Sequence, residues 1–391
     1  MKYKRIEELT SVVTGGTPST SKAEYWDEGD IPWLQSGCCQ NCDVYEAEKY
    51  ITQIGYDNSS TRMMPVDTVM IALTGATAGK IGYLNFEACG NQSITGILPC
   101  DELNQRYLYF YLISQRNKIL ADCIGGAQPH ISQGYVKNMR VPVPTKEEQQ
   151  SIVEKLKGLS AIISQRQKEI ELLDDLIKAR FVEMFGDPEL NPKKWPIKTL
   201  GDVLSVEPQN GLYKPQSDYV HDGTGIPILR IDAFYDGKVT DLSGLKRLNC
   251  TDTERSRYLL VENDIVINRV NSLEYLGKCA WITGLIEPTV FESNMMRFHV
   301  DESRINPCYI TRLLCSPFIY KQILNRAKKA VNQASINQRD VQNLKILIPP
   351  VELQKQYAAF VAQVDKSKAA VQKSLDETQL LFDSLMQKFF G

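Results

Sequence analysis

Three stretches of the 391-residue chain hold residue types that catalysis uses, and each falls short of a catalytic site. Gly75-Ala-Thr-Ala-Gly79-Lys80-Ile81 has the ingredients of a phosphate-binding loop, in which glycines open the backbone amides to phosphate oxygens and a lysine adds charge. That motif needs four residues between the glycines and a Ser or Thr after the lysine. Here there are three and an isoleucine, so a plain tight turn, or one that brings Lys80 near a DNA phosphate, fits better than a nucleotide site. Cys38-Cys39-Gln40-Asn41-Cys42 contains one C-x-x-C pair, but structural zinc needs a second pair, and Cys89 and Cys100 supply no such spacing. His130, His221 and His299 stand beside no nucleophile elbow and no metallonuclease-like carboxylate cluster. The expectation is a chain that does no covalent chemistry and holds no metal or cofactor of its own.

What remains is chemistry of recognition. Gln and Asn can bond adenine bidentately, and Arg and Lys can bond guanine or phosphate. In the first part of the chain the candidate DNA contacts are Thr17, Ser19, Lys22, Gln35, Thr74, Thr77, Lys80, Gln92, Gln128, His130 and Gln133. In the second they are Lys214, Arg230, Arg269, Asn271, Lys328, Lys329, Asn332, Gln333 and Gln338. Polar loop residues are usually only solvated, so the pattern must be judged by what positions them.

The positioning elements announce themselves as a repeat. Residues 128–186 superpose on residues 333–391 at a constant offset of 205 without a gap, matching Ile131 with Ile336, Gln133 with Gln338, Gln149 with Gln354 and Phe185-Gly186 with Phe390-Gly391. Gln128 and Gln133 recur as Gln333 and Gln338, and residues common to both copies suit structure or shared backbone contacts rather than sequence reading. Each copy begins with a loop-like polar segment, passes a proline stop and becomes a long proline-free stretch. In the first, Ile152, Leu156, Ile163, Leu173 and Ile177 lie on an apolar seam of steps of four and three that runs on to Met184, with Phe185 just beyond it; the second keeps the phase through Val361, Val364, Leu375, Phe382 and Phe389. Arg166, Arg180, Lys368 and Thr378 interrupt the seams. A helix from Glu147 to Phe185 would be about 58 Å long, a spacer rather than an ordinary domain helix. Two such helices with matching seams can pair, and these apolar positions are the candidate partner-binding residues of the helices.

Upstream of each copy lies a mixed domain of short strands and helices. Ile31–Leu34 is answered by Ile226–Leu229, Asp67–Leu73 by Asp264–Val270 and Asn104–Ser114 by Asn306–Ser316, while the loops between them differ. The sequence therefore divides into 1–144, 145–186, 187–349 and 350–391, an α+β chain with an internal pseudo-two-fold repeat. Net charge is −2; residues 1–144 carry 12 basic and 15 acidic side chains, and residues 187–350 carry 21 and 19. A stand-alone DNA binder with a broad basic face is thus excluded, and any DNA contact rests on local patches or on a more basic partner. No apolar run is long enough to cross a membrane and no export signal opens the chain, so a cytoplasmic protein with reduced cysteines is expected.

Over its full length the sequence resembles the specificity subunits of type I restriction-modification systems. The resemblance is carried by Thr14-Gly-Gly-Thr-Pro-Ser, Ile31-Pro-Trp-Leu, Thr74-Gly-Ala-Thr-Ala-Gly-Lys-Ile-Gly, Gln133 through Val141-Pro-Val-Pro-Thr-Lys-Glu-Glu-Gln-Gln-Ser-Ile-Val, Phe181-Val-Glu-Met-Phe-Gly-Asp-Pro and Asn191-Pro-Lys-Lys-Trp-Pro. It implies two target recognition domains, each followed by a conserved helix, with the helices paired antiparallel. Each domain would read one half of a bipartite site in double-stranded DNA across an unspecified spacer. The helices would dock two methyltransferase subunits, which bring S-adenosylmethionine, and restriction and translocase subunits would bring ATP and magnesium. The second copy departs from the first at Arg339-Asp340 and Pro350-Val-Glu-Leu, where the first has Gly134-Tyr135 and Thr145-Lys-Glu-Glu. Competing readings are a methylation-only system, a coiled-coil adaptor without DNA contact, and a nucleotide enzyme built on Gly75–Lys80.

Overall fold

A computed structural model describes residues 2–123, 130–330 and 333–391. The chain divides into two compact units, Met1–Glu169 with Val371–Gly391, and Ile170–Ala370. Each unit therefore contains one mixed domain and a part of both long helices.

In the first unit, five strands lie in the order Val12–Thr14, Ile94–Ile97, Val69–Ala72, Ile81–Leu84, Cys42–Val44. The central strand pair is antiparallel with Ile71 opposite Ile81, and Cys42–Val44 joins parallel to Ile81–Leu84. Val69–Ala72 and Ile81–Leu84 are buried at every residue, which is why they read as unbroken apolar runs rather than alternating ones. In the second unit the corresponding pair is Ile265–Asn268 with Cys279–Trp281, Ile267 opposite Cys279, inside a six-stranded sheet. Smaller sheets repeat too: Ile31–Leu34 pairs parallel with Cys89–Gly90, and Ile226–Leu229 pairs parallel with Val290–Phe291. Short ribbons, Tyr3–Arg5 on Arg140–Pro142 and Ile197–Thr199 on Lys345–Leu347, tie the start of each domain to the segment before its long helix.

The helix Gln105–Ser114 is started by Asn104, whose side chain accepts from the amides of Arg106 and Tyr107; Asn306 does the same for Pro307–Leu314 through Cys308 and Tyr309. The polar, loop-like segments at the head of each copy contain short helices, Gln133–Asn138 and Gln338–Gln342, capped by Ser132 and Asn337. Side-chain capping, not apolar periodicity, starts them, so the seam argument missed them.

The long helices are Lys146–Phe185 and Val351–Phe390, 40 residues each. In the first unit, the start of one runs antiparallel to the end of the other: Lys155 lies 6.0 Å from the Phe389 ring, and Arg166 donates to Ser374 O and Thr378 Oγ1. In the second unit, Lys368 pairs with Asp174 (Nζ to Oδ2, 2.6 Å) and Arg180 lies over Phe360 at 5.5 Å. Arg166, Lys368 and Thr378, which break the apolar seam, are thus bonds from helix to helix.

The end of one helix completes the core of each domain. Phe185 is 1% exposed and packs edge-on against Tyr309 (4.6 Å) and Tyr357 (5.5 Å). Its repeat counterpart Phe390 packs on Tyr107 (5.4 Å) and Tyr111 (5.7 Å) of the first domain. A buried glutamine fixes the start of each long helix. Gln149 Oε1 accepts from the Asn104 amide (2.7 Å) and its Nε2 donates to Pro144 O (3.0 Å); Gln354 repeats this with the Asn306 amide (2.7 Å) and Pro349 O (2.8 Å).

Candidate nucleic-acid interface

The polar candidates gather where strands end and turns begin. In the first unit Thr74, at the end of the central strand, donates to Ser93 Oγ (2.9 Å) and bridges to His130, and Thr77 Oγ1 lies 3.4 Å from Thr74 O. Thr17 bonds Gln92 from the neighbouring loop. That loop is held tightly: the Gly16 amide donates to Gly90 O (2.8 Å), and the Trp33 indole donates to Gly16 O (3.0 Å). At Gly15 an added Cβ would stand 2.0 Å from Gly90 O, so only glycine allows the approach. Thr17, Thr74, Thr77, Gln92 and His130 therefore form one hydroxyl- and amide-rich group. Ser19 bonds Ser21, Lys22 donates to Tyr25 OH (2.8 Å), and Gln35 is exposed at the start of Ser36–Cys38.

The second unit builds the same place with other side chains. Gly211, in the position of Gly15, has its hypothetical Cβ 2.2 Å from Glu292 O. Val270–Asn271 pairs with Ala334–Ser335, which pairs with Lys328–Lys329, so Asn271 and the two exposed lysines share one small sheet. Arg269 enters that sheet, with its guanidinium donating to Ser293 O (3.1 Å). Arg230 stands apart, 3.4 Å from Tyr219 OH and 3.9 Å from Glu292, whose carboxyl burial pushes upward.

Three groups of candidates have work within the fold. Lys214 is only 14% exposed and is tied to Asp218 (3.3 Å) and Glu254 (3.0 Å), a structural ion pair rather than a charge offered to DNA. Gln133 donates to Val12 O (3.1 Å) and serves the fold. Its counterpart Gln338 is exposed at the first turn of its helix, and Gln333 is exposed beside the lysine sheet. The apolar helix positions are occupied within the chain: Ile152 and Leu156 lie in the first domain's core with Phe382 and Phe389 against it, and Ile177, Phe185, Val361 and Val364 lie in the second's with Leu173 against it. Leu375 is 9% exposed and Ile163 half-buried. Ile152, Leu156, Ile177, Phe185, Val361, Val364 and Leu375 are thus buried within the chain, whereas Ile163, Leu173, Phe382 and Phe389 keep part of their surface exposed. The helices' exposed apolar residues are others, including Leu172, Leu176, Leu380 and Leu381. Gln128 and Asn332 lie outside the described residues.

Among the described residues no three His, Cys, Asp or Glu side chains group to hold a metal, and no helix is long and apolar enough to cross a membrane.

The sequence profile of the type I restriction modification DNA specificity domain matches residues 1–172 and again residues 192–378. The chain belongs to this family. The two matches coincide with the two repeats of domain plus helix. Among curated members of the family, the chain is 27% identical over 410 residues to the type I restriction enzyme MjaIX specificity subunit of Methanocaldococcus jannaschii, covering 99% of this chain and 92% of that one. It is 24% identical over 412 residues to the EcoKI specificity subunit of Escherichia coli K12, covering 98% and 87%. The S subunit of a type I restriction-modification system from M. genitalium superposes with a TM-score of 0.61 at 16% identity, covering 100% of this chain and 96% of that one, and so shares the fold. A chain from a study of complex assembly in the type I system gives 0.59 at 18%, covering 100% and 97%.

Viewed as a specificity-family repeat, the interface holds residues that the sequence reading passed over. Lys278 follows Gly277 as Lys80 follows Gly79, and exposed Tyr235 and Tyr275 flank it at 4.7 and 5.6 Å. Burial lowers the Lys278 ammonium below the ordinary lysine value. The signal was the recurring Gly-Lys pair, hidden because the backbone bonds match Asp67 with Asn263 and Ala72 with Asn268, one residue off the sequence match to Asp264, which makes the second turn two residues longer.

Proposed function

We propose that this specificity subunit recognises a bipartite site in double-stranded DNA, each domain contacting one half, and that it does so within a complex whose other subunits do the chemistry. The observation that carries this reading is a frame repeated down to its buried glutamines, helix caps and glycine approaches, bearing different loop chemistry in each copy. Two copies of one scaffold with divergent loops suit two readers of different targets. In the first domain the reading groups are hydroxyls and amides, Thr17, Thr74, Thr77 and Gln92 with His130; in the second they are Arg230, Arg269, Asn271, Lys328 and Lys329. Such side chains bond base edges and phosphates.

Adenine methylation then falls to two methyltransferase subunits carrying S-adenosylmethionine, and cleavage to ATP- and magnesium-dependent motor and nuclease subunits. No residue of this chain is assigned to any of those ligands. A net charge of −2 fits a reader that shares its grip on DNA with partners.

The test is single-molecule mapping of methylated adenine in DNA from cells carrying this chain with its methyltransferase, against cells lacking only this chain. A split motif that disappears with the chain is the expected outcome. Methylation that persists unchanged without it would refute the assignment, and an assembled complex that binds no duplex preferentially would leave a coiled-coil adaptor in its place.

A further inference from the structure

Two lysines occupy one structural position in the two units. In the first, Val69–Ala72 turns through Gly75–Thr77 into Ile81–Leu84; in the second, Ile265–Asn268 turns through Leu273–Tyr275 into Cys279–Trp281. Each turn ends on Gly-Lys and is closed by the same two backbone bonds. The Gly79 amide donates to Ala72 O (2.9 Å) and the Gly277 amide to Asn268 O (3.0 Å); the Ala72 amide donates to Lys80 O (3.0 Å) and the Asn268 amide to Lys278 O (2.8 Å). Both glycines have positive φ, +71° and +78°, and a Cβ there would meet Ile119 (3.0 Å) of the helix Arg116–Ala121 or Ile323 (2.3 Å) of the helix Pro317–Arg326. The glycine lets the chain run against that helix and fixes where the lysine leaves the strand.

From this duplication we infer that Gly79-Lys80 and Gly277-Lys278 are a pair of phosphate clamps, one per unit, that hold the DNA backbone without reading sequence. The inference rests on the proposed role in DNA recognition. Two half-sites differ in their bases and share their phosphodiester backbone, so an element preserved while the loops around it diverge suits the shared part. A lysine is a point charge on a flexible stem, fitted to phosphate rather than to bidentate base recognition. Among the described residues neither lysine has a carboxylate partner. Lys80 donates to the Gln40 side-chain carbonyl. Lys278 lies 4.7, 5.3 and 5.6 Å from the ring centres of Tyr235, Phe234 and Tyr275, at a cavity of about 220 Å³. Of that cavity's two carboxylates, Asp236 is neutralised by Arg312 (3.1 Å), and Glu274 stands exposed on the turn. Asp232 attracts the Lys278 ammonium from beyond ion-pair distance, and a partly buried ammonium that makes no ion pair gains from an anion.

The experiment uses the full chain assembled with its methyltransferase partner. One duplex carries the mapped site and another the same bases scrambled, and binding is titrated from about 0.05 to 0.3 M KCl. Lys80→Ala and Lys278→Ala should each weaken binding roughly three- to tenfold and flatten the slope of log K against log salt by about 0.9, with the double variant near 1.8. Both duplexes should lose equally, Lys→Arg should restore the slope, and Glu274→Gln should tighten binding by removing a charge that repels phosphate. Unchanged slopes would overturn the clamp, as would a loss confined to the mapped duplex, which means base reading. Loss of the methyltransferase from the assembly with unaltered slopes would also overturn it, since that means a subunit contact. An unsubstituted assembly that fails to tell the duplexes apart would overturn the specificity reading itself, and with it the clamp.

Discussion

The two domains differ least where they touch the long helices and most where their strands end. Phe185 and Phe390 each pack on the matching tyrosine, Tyr309 or Tyr107, and Gln149 and Gln354, like Asn104 and Asn306, make the same bonds in both. At the strand ends, the first domain presents threonines and glutamine, whereas the second presents Arg230, Arg269, Lys328 and Lys329 with exposed Tyr213, Tyr235 and Tyr275. Side chains that must fit a core, a cap or a backbone carbonyl have few substitutes. Those facing outward answer only to what they bind.

The most drastic way to break this comparison is to exchange residues 187–350 for those of another family member. Adenine-methylation mapping should then show one half-site replaced and the other intact, and a change in both halves would refute independent reading. Adding seven residues in register to both long helices should alter the number of unspecified base pairs between half-sites while leaving the half-sites alone, read by the same mapping. Next in size are Phe185→Ala and Phe390→Ala. Each should cost roughly 3–5 kcal/mol, with hydrogen exchange rising in Pro307–Leu314 for the first and in Gln105–Ser114 for the second, although Phe390 lies far from that helix in sequence. Gln149→Leu and Gln354→Leu should each cost about 1–3 kcal/mol by leaving the Asn104 or Asn306 amide buried without a partner; unequal losses in urea unfolding would show that the two junctions are not equivalent. Smallest is Lys368→Ala, which removes the pair to Asp174. Both side chains are partly solvated, so the loss should stay within about 1 kcal/mol and shrink further in salt.

Much of this architecture was legible in the sequence, for a physical reason. A constant offset of 205 and a step of four and three are long-range regularities, and they survive changes in individual side chains. What the seam could not reveal was its occupant. An apolar stripe reads the same whether it meets its own domain or another subunit, so nothing in the sequence shows that Ile152, Leu156, Ile177 and Val361 face their own cores. Lys214 misled for the opposite reason: its partners Asp218 and Glu254 are four and forty residues away, and only the fold brings the second of them near. Lys278 escaped because two inserted residues shift its turn out of register with that of Lys80. Gln149 and Gln354 carried no sign of burial, since glutamines at a helix start are ordinarily solvated.

The placement of Phe390 has a consequence for synthesis. Met386 and Phe390 share a buried cluster with Ile6 and Tyr107, whereas the second unit is the uninterrupted stretch Ile170–Ala370. A ribosome therefore delivers everything the second unit needs while the first still lacks its aromatic plug. The domain translated first is the one completed last, and until then Tyr107 and Tyr111 are the surface that a nascent-chain chaperone would have to cover.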